Sequence, residues 1–60
     1  MMKFKLGDSV STLGAGKIPG YIVAWAPPME RFGILEYWYE VRFADGNEGQ
    51  YPESELWLAV

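Results

Sequence analysis

The chain contains no cysteine and no histidine. Without thiols there are no disulfides and no cysteine-rich zinc sites, and without imidazole there are no histidine-dependent triads. Basic residues are few: five Lys and Arg against eight Asp and Glu give a net charge of −3. Lys3, Lys5, Lys17, Arg31 and Arg42 are scattered, never two in a row. The basic footprint that neutralises a phosphate backbone is therefore lacking, and nucleic acid is not an expected partner. No apolar run approaches the ~20 residues of a membrane span. The opening Met-Met-Lys-Phe-Lys-Leu-Gly-Asp turns polar before the apolar stretch of a signal peptide forms, so the expected address is cytoplasmic.

What is present is half apolar, with three Trp, four Tyr and three Phe among 60 residues. That composition belongs to a folded chain rather than a disordered one. At this length one core barely holds, so residues 1–60 are expected to form a single domain.

Glycine and proline punctuate short segments. Residues 9–13 form a strand candidate, followed by a loop at Gly14-Ala15-Gly16 and a turn at Pro19-Gly20. Tyr21-Ile22-Val23-Ala24-Trp25 is rich in β-branched and aromatic residues and predicts a strand, which Pro27-Pro28 would end. Residues 26–33 then read as a loop. Leu35 to Phe43 alternates cleanly, with Leu, Tyr, Tyr, Val and Phe at odd positions and Glu, Trp, Glu and Arg at even ones. A period of two makes this a half-buried strand, with Tyr37 and Tyr39 on its buried face. Asp45-Gly46 supplies a hairpin turn. Asn47 to Tyr51 returns as a strand ended by Pro52, residues 53–56 make one helical turn, and Trp57 to Val60 closes the sheet. The expectation is an all-β, five-stranded SH3-like barrel with one short helical turn before the last strand.

The second segment is apolar on both faces, one more than a lone barrel needs. This points to self-association through Tyr21, Val23 and Trp25. Alternation places Trp38 on the polar face between Glu36 and Glu40. Two readings stand for it: a contact residue for a partner, or a side chain covered by the 26–33 loop. As a contact it would join Trp57 and the hydroxyl end of Tyr37 at an aromatic rim. Flanking carboxylates would suit a cationic or methylated-amine ligand over the ring. Glu36 and Glu40 lie roughly 13 Å apart on a strand, too far for a paired acid and base. Asp45, Asn47 and Glu48 lack the spacing of a calcium loop, and no metal site is expected.

Two resemblances arise at these residues. Trp38-Tyr39-Glu40-Val41-Arg42-Phe43-Ala44-Asp45-Gly46 resembles the central hairpin of Tudor- and agenet-type domains. More of the chain is similar to the plasmid-borne type II, trimethoprim-insensitive dihydrofolate reductases: Phe4-Lys5-Leu6-Gly7-Asp8-Ser9-Val10, Gly20 to Trp25, Tyr39-Glu40-Val41, and Gln50-Tyr51-Pro52 with Leu56. That family folds as SH3-like barrels which assemble four to a pore, where NADPH and dihydrofolate meet. The resemblance implies Gln50 and Tyr51 as pore residues, with NADPH contacts at Thr12, Gln50 and Tyr51. The chain departs from the family where the chemistry sits. Its glutamine adjoins the tyrosine instead of preceding it by two, which turns the two to opposite faces unless Gly49 holds a bulge. Thr12 stands where the family's pore lysine falls, and Glu48 adds a negative charge. Two functions follow: a non-catalytic binding or assembly module with no cofactor, contacting a protein or small molecule, or an NADPH-dependent dihydrofolate reductase.

Overall fold

The computed structural model describes residues 2–12 and 19–59. The expected loop at 14–16, Lys17, and the ends of the first and last predicted strands at 13 and 60 lie outside these residues. Five antiparallel strands form one sheet in the order β4-β3-β2-β1-β5. They are β1 (Ser9–Thr12), β2 (Gly20–Arg31), β3 (Ile34–Phe43), β4 (Glu48–Pro52) and β5 (Leu56–Leu58), with a 3-10 turn over Glu53–Glu55 before the last. The all-β expectation holds, including the helical turn and its place. No helix among the described residues is long and apolar enough to cross a membrane.

The core is built by Phe4, Val10, Ile22, Tyr39, Val41, Phe43 and Leu56, with Met2, Tyr37 and Tyr51 packed against it. The alternation of β3 accounts for three of these, because Tyr39, Val41 and Phe43 fall on one face. Leu35 shares that parity yet is 70% exposed, because β3 runs on past the core at its N-terminal end.

The main correction concerns residues 26–33, expected as a loop. They belong to a long hairpin. β2 continues through both prolines to Arg31, which pairs with Ile34 across a two-residue turn at Phe32-Gly33. Both turn residues have positive φ, 54° and 80°, the mirror-image geometry that matches strand twist. Proline is tolerated here because β1 pairs with β2 only at Gly20 and Tyr21, so the farther part of β2 has a side with no ladder to join. Register shifts between Ile22 and Ala24 and between Ala26 and Met29 each give β2 one extra residue over β3. Such bulges bend and twist the strand that carries them.

The hairpin between β3 and β4 has a three-residue loop. The Gly46 N–H donates to the Phe43 carbonyl (2.9 Å) and the Phe43 N–H to the Asn47 carbonyl (2.7 Å). Only Gly46 has positive φ in this loop, and the Asp45 carboxylate accepts from the Asn47 backbone and side chain.

Candidate functional site

Directly paired residues in an antiparallel sheet share a face. One row across the sheet is therefore Ala24, Glu40 and Gln50, and the next is Ala26, Trp38 and Pro52. The two alanines leave a shallow floor between larger neighbours. Over it hangs the far end of the β2–β3 hairpin, bent back by its bulges. The Trp38 indole N–H donates to the Met29 carbonyl (3.1 Å), the Arg31 guanidinium lies 4.9 Å from the Trp38 ring centre, and the Phe32 ring meets Trp38 tilted at 6.4 Å. Trp38 is left only 5% exposed. Of its two readings, the covered one describes the structure, and the cover is the bent hairpin.

Between this overhang and the floor is a pocket of about 170 Å³, lined by Ala24, Ala26, Arg31, Trp38, Glu40 and Gln50 with parts of Trp25 and Tyr39. Arg31 Nη1 donates to Gln50 Oε1, which ties β4 to the hairpin tip. The place over the Trp38 face where a methylated amine would sit is thus taken by the chain's own Arg31.

Trp57, on β5, stands opposite Ser11, is separated from β3 by two intervening strands, and is exposed. Tyr37 lies on the opposite face of β3 from Trp38 and packs on Trp25, ring centres 6.2 Å apart. The expected rim of Trp38, Trp57 and Tyr37 is therefore not one surface. Nor are Tyr21, Val23 and Trp25 one face. Val23 is the extra residue of the first bulge, Tyr21 pairs with Arg42, and Trp25 pairs with Tyr39, so the bulge sends Tyr21 and Trp25 to opposite sides.

Thr12 is 3% exposed and faces Leu56, so its side chain is not presented to a cofactor phosphate. The β3–β4 register runs unbroken from Trp38–Pro52 to Arg42–Glu48, so Gly49 holds no bulge. Gln50 and Tyr51 consequently point to opposite faces. Gly49 has a different purpose. A Cβ there would come within 2.9 Å of the Tyr51 ring, so glycine lets that ring lie down against Phe43, edge to face at 5.9 Å. Glu48 pairs with Arg42 at 2.5 Å.

A polar cluster on the other side was not foreseen. Glu53 Oε2 accepts from the Tyr39 hydroxyl (2.7 Å) and the Lys3 N–H (2.8 Å), and the Phe4 N–H donates to the same hydroxyl at 3.4 Å. Burial and the Glu53 carboxylate push the Tyr39 phenol up to about 12. The cluster clamps the N-terminal segment to the 3-10 turn, and its buried tyrosine serves the core. Among the described residues no three metal-ligating side chains come together.

Large apolar side chains remain uncovered, chiefly on the bent hairpin: Phe32 at 90%, Leu35 at 70%, and Trp25 and Met29 nearly half exposed. A scan against protein-family models, a search of curated proteins and a search of solved structures each return no match to this chain.

Proposed function

We propose that this protein is a non-catalytic binding and assembly module on an SH3-like barrel. The strand order, with a 3-10 turn before the last strand, supports that fold reading. The observation that carries the function is the apolar surface of the β2–β3 hairpin. Trp25 and Leu35 on the Tyr37 face of the hairpin, Met29 on the Trp38 face and Phe32 at the tip are exposed while the core is complete without them. Exposed apolar clusters on small domains mark contact surfaces. A 60-residue chain gains more from burying them than a large domain does. The partner with the most to gain is a second copy, and the self-association expected from the sequence moves from the 21–25 face to the hairpin.

The reductase reading has weaker support. Gln50 and Tyr51 are split between two faces, and Thr12 is buried. No pair of titratable groups is arranged as acid and base in the pocket, and Tyr39, whose phenol is pushed up, is committed to Glu53.

Sedimentation velocity over a concentration series, with NADPH oxidation measured in the same samples with and without dihydrofolate, separates the two. The expected result is mass that rises with concentration in the native chain, a monomer in Leu35→Glu, and no dihydrofolate-dependent turnover. Turnover lost on Gln50→Ala would establish the reductase, and a monomer at every concentration would remove the assembly role.

A further inference from the structure

The pocket beneath the hairpin carries a second, independent reading. Two opposite charges line it, and neither has a counter-charge among the described residues. Arg31 is held by stacking on Trp38 and by Gln50, and Glu40 stands in the adjoining row. Yet the Arg42–Glu48 pair is the only ion pair among the described residues. Opposite charges lining one pocket with an apolar floor suit a ligand that supplies both complements.

We propose that this pocket binds a small zwitterion, an α-amino acid with a short side chain. The carboxylate goes to Arg31. One of its guanidinium nitrogens is occupied by Gln50, and the remaining N–H groups are fixed in a plane by the indole, a fork suited to a carboxylate. The ammonium goes to Glu40, and the side chain rests on Ala24 and Ala26. The size agrees: about 170 Å³ suits a ligand of a few heavy atoms. It is smaller than the pockets of drug-sized molecules, which run from about 300 Å³ upward. A purely anionic ligand would face Glu40, and a purely cationic one would face Arg31. Each would meet repulsion that the zwitterion turns into attraction.

The test is a ¹H–¹⁵N NMR titration of the native chain with L-alanine, beside propionate and ethylamine, which each lack one of its charges. Alanine is expected to shift the Trp38 indole and the Ala24, Ala26 and Gln50 amides saturably at millimolar concentration, with either fragment at least tenfold weaker. Arg31→Met, which keeps the stem over the indole, and the isosteric Glu40→Gln should each weaken alanine at least tenfold with the rest of the spectrum unchanged. Propionate matching alanine would make the site one for anions, and ethylamine matching it would make it one for cations. Either result, or no saturable shift, overturns the proposal. Because Glu40→Gln leaves every exposed apolar side chain in place and neither variant removes one, this outcome is separate from that of the assembly test.

Discussion

Tyr39 shows how one side chain can hold two segments and set a pH limit. Its ring packs edge to face on Phe4 at 5.5 Å, and its hydroxyl donates to Glu53. Ionising it would bury a phenolate beside a carboxylate. Because the folded state holds the proton more tightly than the unfolded chain, the contribution is complete below pH 10 and is lost as pH rises toward about 12. Denaturant titrations of the native chain and Tyr39→Phe should therefore show a stability difference that is constant to pH 10 and shrinks through that window. A constant difference to pH 12 would contradict the assignment. Trp38 acts in the same way on the hairpin. Trp38→Phe keeps most of the ring but leaves the Met29 carbonyl without its donor, and should lower the unfolding free energy by about 1 kcal/mol in a denaturant titration.

At the scale of elements, the hairpin of β2 and β3 holds the candidate site, and its tip is strained. Phe32 sits at φ 54°, a region that bulky side chains seldom adopt, at a cost of roughly 1–2 kcal/mol. Asparagine is at ease in that turn. Phe32→Asn should raise stability by about 1 kcal/mol in a thermal melt while weakening self-association. Stability gained with association unchanged would leave the strain without a function.

The same hairpin marks where the sequence could be read and where it could not. The alternation of Leu35 to Phe43 is a signal local to one strand, and both it and the Asp45-Gly46 turn were legible. Pro27-Pro28 reads as a strand end, yet proline breaks a strand only where a neighbour needs its N–H: β1 does not reach these residues, and opposite β3 they fall in the second bulge. Alternation placed Trp38 on the outer face of β3, but its cover depends on two bulges that no period reveals. The same bulges separated Tyr21 from Trp25. The resemblance puts Thr12 at a pore position, whereas the pairing of β1 with β5 turns it inward.

For the whole molecule, net charge and apolar surface act against each other. At −3 per chain, copies repel one another weakly, and the repulsion is screened by salt. The proposed association through the hairpin should therefore tighten several-fold between low salt and about 0.5 M salt, as read by sedimentation. Weakening with salt would indicate ion pairs at the contact in place of apolar burial.

A sticky surface beside open strand edges ordinarily invites filaments, in which each copy adds its backbone to the last. Pro27 and Pro28 lie on the free stretch of β2, next to Met29 and the exposed tip. Lacking N–H groups, they deny an incoming strand its ladder along that stretch. Growth by strand addition is blocked there, and contact is left to side chains, which can close on themselves. In the proposed assembly these prolines would terminate polymerisation along that stretch, and replacing both by valine should give a chain that thickens into filaments and precipitates.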